Sequence, residues 1–198
     1  LNSGSALIDD EQSSTVAGVR LRGYFDQLDS LNFPKDGWAG TFQLVKGTEA
    51  LGSDVDYDRW EGSLVLAKSF GRHTVNLAMR GSGPISEERT PAYVSTPWGG
   101  FLQQSGFQTG QLLNERYIYG RLLYNYRLLT VPLFEGLYAG VSAEVGTYGR
   151  PLVAGNPTGT LYSGAAFLAF DSPLGPMYLG YGLGTGGNSA AYFYLGRP

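Results

Sequence analysis

The chain has 198 residues and no cysteine, which excludes a disulfide framework, a thiolate metal site and a thiol nucleophile. It has one histidine, His73, so a poly-histidine metal centre is excluded and any histidine-dependent triad must use that residue. Charge is scarce: 16% of residues, against roughly 25% in a soluble domain, with a net charge of −3. Nucleic acid is therefore not an expected partner, because neutralising phosphates requires clustered Lys and Arg. No window holds about 18 consecutive apolar residues, so there is no transmembrane helix. The longest apolar run, Ala165 to Phe170, is too short even for a buried helix. The sequence begins without methionine or a signal peptide and reads as a mature or excised segment.

Glycine is abundant, with 30 residues, and aromatic side chains make up 14%. With 42% apolar residues, disorder is not expected. Mean hydropathy is −0.13, which leaves a bilayer open, because barrel strands alternate and average out near neutral.

Period-two alternation with turn punctuation predicts nine strands and no helix. They are Thr15–Asp26, Gly37–Lys46, Arg59–Phe70, His73–Arg80, Arg116–Leu128, Leu137–Val145, Leu161–Asp171, Met177–Leu183 and Ala190–Gly196. In the fourth, Val75, Leu77 and Met79 oppose Thr74, Asn76 and Arg80. In the fifth, Ile118, Leu122, Tyr124 and Tyr126 oppose Tyr119, Arg121 and Asn125. The seventh is too uniformly apolar to assign its faces. Short and long connections alternate for most of the chain, from the tight Gly71-Arg72 to the very long Gly81–Glu115. That alternation, with aromatics near strand ends, predicts an all-β, antiparallel transmembrane β-barrel with short turns at one rim and long loops at the other. Arg20, Arg22, Glu61, Arg80, Arg121 and Glu144 then face the lumen. A soluble barrel would show the same parity with its apolar face turned inward.

Three segments carry a family pattern. They are Asp26-Gln-Leu-Asp29 with Asn32-Phe-Pro-Lys-Asp-Gly37, Asp171-Ser-Pro-Leu-Gly-Pro-Met-Tyr-Leu179, and Tyr192-Phe-Tyr-Leu-Gly-Arg-Pro198. Together they resemble the C-terminal barrel of the bacterial surface antigen (BamA/TamA) superfamily of assembly and secretion barrels. In that superfamily an external loop folds into the lumen and carries an arginine at its tip. The matching tip here is Ser105, Gly106 and Phe107, with serine where the arginine is expected. This departure resembles the patatin-fused, PlpD-type branch. The positions matching the acidic partners of the loop arginine are Asn125 and Glu144, so the charge pair is absent.

The resemblance implies an outer-membrane location in a Gram-negative bacterium and contact with outer-membrane lipid. It also implies dependence on the barrel assembly machinery, and upstream patatin-like and POTRA domains on the same polypeptide. The family barrel has sixteen strands, and these nine resemble its last nine. The remaining strands are expected from upstream sequence; a second copy (a homodimer) or a tenth strand at Pro91–Gln104 are the alternatives. The missing aromatic after Pro198 also fits a trimmed segment.

Candidate chemistry is sparse. His73 could serve a barrel-embedded lipid enzyme as a base, but a histidine at a rim also fits an interfacial residue. The Gly182-Leu-Gly184-Thr-Gly186-Gly187 run lacks the helix that a phosphate loop needs and reads as a hairpin loop. Asp54, Asp56 and Asp58 lack the glycine and glutamate of a calcium loop and read as a solvated loop end. No Gly-x-Ser-x-Gly elbow occurs. The expectation is a non-enzymatic barrel without cofactor or metal, anchoring and translocating an N-terminal passenger. A small passive pore or adhesin-like barrel is the competing class.

Overall fold

The computed structural model describes residues 15–86, 91–131, 134–172 and 175–196. The structure is all-β: nine antiparallel strands in one sheet, ordered as in the chain. The strands are β1 (Gly18–Asp26), β2 (Asp36–Gly47), β3 (Tyr57–Phe70), β4 (His73–Pro84), β5 (Asn114–Val131), β6 (Phe134–Pro151), β7 (Gly159–Ser172), β8 (Gly175–Gly184) and β9 (Asn188–Leu195). Each strand expected from the alternation is present. Most run longer, because pairing continues past the last apolar residue wherever a neighbour offers hydrogen-bonding groups. The Pro91–Gln104 stretch is not a tenth strand. It holds a 3-10 turn at Ala92–Val94, and Trp98 bridges Leu112. The Pro173-Leu174 turn residues and Arg197-Pro198 lie outside the described residues.

Register decides which side chains share a face. Arg121 lies opposite Glu144, Glu144 opposite Ser163, and Ser163 opposite Gly184, forming one row across β5 to β8. The same parity settles β7: Leu161, Ser163, Ala165, Phe167, Ala169 and Asp171 share the face of Glu144. On the other face large apolar side chains stay exposed, among them Leu21 at 68%, Ile118 at 62%, Leu179 at 62% and Phe193 at 71%. The apolar face is thus the outer one, and the buried groups lie on the concave side.

The sheet curls far enough for the β1–β2 connection to reach β7. Asn32 Nδ2 donates to Asp171 Oδ1 at 3.2 Å, and Phe33 stacks on Tyr138 of β6 at 4.7 Å between ring centroids. Asp29 shapes this connection by accepting from the backbone N–H of Lys35 at 2.8 Å and of Asp36 at 3.0 Å. Gly37, at φ 107°, closes it; a Cβ there would sit 2.0 Å from the Gln27 carbonyl oxygen. These contacts give the Asp29…Phe33…Gly37 spacing its physical meaning. Among the described residues β1 pairs only with β2 and β9 only with β8, so the sheet is not closed.

Candidate functional site

The concave face is occupied by the β4–β5 connection, which enters from the rim of the long loops. Its neck is a two-residue ladder, with Trp98 and Leu112 exchanging both backbone hydrogen bonds at 2.8 Å. Beyond the neck Phe101, Leu102, Gln104, Ser105 and Phe107 are all buried, Gln104 and Ser105 completely. Leu102 at φ 57° and Gln104 at φ 77° adopt the left-handed conformation without being glycine. Such residues cost about 1–3 kcal/mol each and persist only where the surroundings hold them.

The wall holds them through the main chain of the tip. Glu144, 4% exposed, accepts from Gln104 N at 2.9 Å, Ser105 N at 2.6 Å and Ser105 Oγ at 2.8 Å. The hydroxyls of Ser142 (2.7 Å) and Ser163 (3.2 Å) complete its shell. A buried carboxylate with five donors needs no opposing cation at contact distance. Across the strand pair, Arg121 Nη1 (2.7 Å) and Tyr119 OH (3.0 Å) both donate to the Leu102 carbonyl. From β9, the Tyr192 hydroxyl accepts from Gly106 N at 3.1 Å and donates to the Phe107 carbonyl at 2.8 Å. Tyr148 OH donates to Gln104 Oε1 at 2.9 Å.

Packing fixes the rest. Gly106, at φ 95°, lies against the backbone of β8, where a Cβ would come within 2.5 Å of Gly184 N. A Cβ on Gly182 would come within 2.7 Å of Gly106 N, so both chains need glycine for the approach. Phe101 contacts the rings of Phe167, Tyr178 and Tyr192 at 5.3–5.5 Å. Phe107 packs beside Gly184 within the buried group that includes Trp98, Leu112 and Tyr148.

The remaining lumen candidates divide. Arg80 pairs with Glu61 at 2.6 Å and lies over the Trp98 ring at 4.8 Å, so it grips the neck. Arg59, absent from the expected set, donates to the Val94 carbonyl and to Ser82 Oγ. Arg20 and Arg22 face the concave side from β1 and are exposed among the described residues; Arg22 lines a polar cavity of about 330 Å³ with Thr41, Gln43, Glu61, Ser63 and Arg80. Asn125 does not meet the loop tip through a hydrogen bond. Its Oδ1 is unpartnered and borders a space of about 230 Å³ between Leu102 and the Phe33 segment.

His73 sits on the outer face at the short-turn rim, its Nδ1 2.6 Å from the Tyr124 hydroxyl. The three aspartates are engaged separately, Asp54 by Thr15 N, Asp56 by Glu49 N, and Asp58, already within β3, by Ser86. Glu49 N and the Thr48 hydroxyl hold the Asp56 carboxyl below its ordinary value. For Asp29, burial pushes the carboxyl up, but the N–H groups of Asp36 and Lys35 outweigh it and leave it lowered.

Sequence reasoning missed Tyr119, Tyr148 and Tyr192 as loop anchors and Phe33 as an inward wedge. The glycines of the Gly182…Gly187 run were the available signal, since Gly182 and Gly184 form the track for Gly106. In comparison with known proteins, the chain matches no family model and no curated protein sequence.

Proposed function

We propose that the chain is the C-terminal part of a transmembrane β-barrel of the outer membrane of a Gram-negative bacterium. The barrel is of the secretion and assembly type, and it anchors and passes an N-terminal patatin-like passenger. The observation that carries this reading is the inversion of the sheet. Apolar side chains stay exposed on the convex face, while Glu61, Arg80, Arg121 and Glu144 lie on the concave one. In water each 100 Å² of that exposed surface would cost about 2.5 kcal/mol relative to burial, whereas in hydrocarbon it costs nothing. A water-soluble barrel requires the opposite arrangement.

Two further features support it. Among the described residues the outer edges of β1 and β9 are unpaired, and in lipid they need partner strands, because unpaired backbone groups cost several kcal/mol each there. A loop seated on Glu144 fills much of the concave face, which weighs against a passive pore. In this reading the chain performs no chemistry; catalysis belongs to the passenger.

The test is expression of the full gene product in a Gram-negative host with fractionation of the envelope. The expected result is a protein in the outer-membrane fraction that resists carbonate extraction and exposes a tag placed at residues 152–158 to external protease. Recovery of the product as a soluble periplasmic or cytoplasmic species would overturn the proposal.

A further inference from the structure

One cation breaks the apolar outer face of β5. Its outward positions hold Ile118, Gly120, Leu122, Tyr124 and Tyr126, and above them, at the long-loop end, Arg116. From Arg116 to Tyr126 the strand runs about 34 Å, or about 26 Å of height at a tilt near 40°. That matches the roughly 25 Å apolar band of an outer-membrane barrel. Tyr124 and Tyr126, grouped with His73, mark the lower edge of the band. Arg116 and Trp60 mark the upper one.

The surroundings of Arg116 form a built concavity. One outward row crosses four strands: Trp60 on β3 opposite Gly83 on β4, then Arg116 on β5 opposite Gly149 on β6. The glycines leave the gaps. A Cβ on Gly149 would lie 2.7 Å from Arg116 Nε. One on Gly83 would lie 3.1 Å from Arg116 Cβ and 3.6 Å from Trp60 Nε1. The result is a hollow of about 480 Å³ bordered by Trp60, Ser86, Arg116, Ile118 and Arg150. Among the described residues neither the Arg116 guanidinium nor the Trp60 indole N–H has a hydrogen-bond or ion-pair partner. Among the described residues the carboxylates near it are engaged elsewhere: Asp58 accepts from Ile85 N at 3.2 Å and from Ser86 N and Oγ at 2.8 Å, and the buried Glu115 meets Arg150 at 3.4 Å.

The geometry points to a binding site for the phosphate of a membrane lipid headgroup in the leaflet at the long-loop rim. Arg116 and the Trp60 indole N–H donate to the phosphate over the Gly83 gap, and the acyl chains run down past Ile118 and Leu122. Two free donors above an apolar wall complement an anionic head on an apolar tail, which no water-borne anion matches. The inference rests on the membrane reading above and specifies which lipid chemistry that surface selects.

Native mass spectrometry of the full gene product in detergent tests it, with titration by bisphosphorylated lipid A and by its dephosphorylated form. The wild-type protein is expected to retain the phosphorylated lipid, and Arg116→Gln to lose about tenfold in retention, as for a hydrogen bond to a charged group. Trp60→Phe should weaken it less, and Arg72→Gln, at the opposite rim, should leave it unchanged. Equal retention by wild type and Arg116→Gln, or equal binding of the dephosphorylated lipid, overturns the site. Competition by millimolar inorganic phosphate assigns the donors to a free anion and overturns the lipid headgroup. A wild-type protein that neither binds detergent nor inserts into bilayers overturns the membrane reading itself, an outcome that no result with the variants can mimic.

Discussion

Removing the Glu144 carboxylate should release the tip of the inward loop while leaving the sheet paired. In Glu144→Ala the backbone N–H groups of Gln104 and Ser105 lose their acceptor, at 2.9 and 2.6 Å in the native protein, inside a region where both residues are fully buried. An orphaned buried donor costs about 1–3 kcal/mol, so the two together cost about 2–6 kcal/mol. The left-handed conformation at Leu102 and Gln104 then loses the contacts that hold it. Glu144→Gln keeps one oxygen for both amides and turns its NH2 toward the Ser105 and Ser142 hydroxyls, which can rotate to accept. Its cost should be near 1–2 kcal/mol. Amide hydrogen exchange of the protein in detergent reads the difference directly. Protection at Gln104 and Ser105 should fall by about a hundredfold or more in the alanine variant and about tenfold in the glutamine variant. Exchange at β5 and β6 should be nearly unchanged. Wild-type protection of the tip in Glu144→Ala, or a loss spread evenly over all nine strands, would refute the reasoning.

Other outcomes follow from the same contacts. Leu77→Arg, on the apolar face, should cost about 2–4 kcal/mol of bilayer insertion, whereas Gln43→Arg, facing Glu61 on the concave side, should cost little; urea titration in vesicles measures both. Phe33→Ala should lower stability by about 3–5 kcal/mol through loss of the stack on Tyr138, read as a drop in Tm. Asp29 has a lowered folded value, so its contribution is complete above the ordinary 3.8 and is lost as pH falls below that value through the folded one. Protease cleavage at Lys35 should therefore rise in acid, and Asp29→Asn should flatten the profile. The purified chain should not turn over ester or phospholipid substrates, and His73→Ala should change nothing in such an assay, since the His73 ring nitrogen meets only a tyrosine hydroxyl.

The strands were legible because alternation is a local signal: Val75-Asn76-Leu77-Ala78-Met79 states its two faces within five residues. The two faces of β7 were not, because Leu161, Ala165, Phe167 and Ala169 pack under Phe101 and Phe107 and so are apolar on the concave side as well. Which face turns inward also lay beyond parity, and the curl of the sheet decided it. The seat of the loop was the least legible part. Its anchors are 17 to 86 residues away from the groups they hold, and most act on backbone N–H and C=O groups, which every residue possesses. No side-chain pattern records such a contact. Tyr119 and Arg121 therefore read only as ordinary inward positions, and Tyr192 only as part of the terminal segment.

The span of that seat spreads its parts over five strands' length of chain, from β5 to β9. The tip is gripped at once by Tyr119 and Arg121 on β5, by Glu144 on β6 and by Tyr192 on β9. The Gly106 contact additionally needs β8 in place. A chain ending at β7 holds the carboxylate but neither the tyrosine nor the glycine track. Only with the β8–β9 hairpin paired is the socket for the tip complete. A chain truncated before Tyr192 should therefore leave the Gly106 N–H and the Phe107 carbonyl without their side-chain partner.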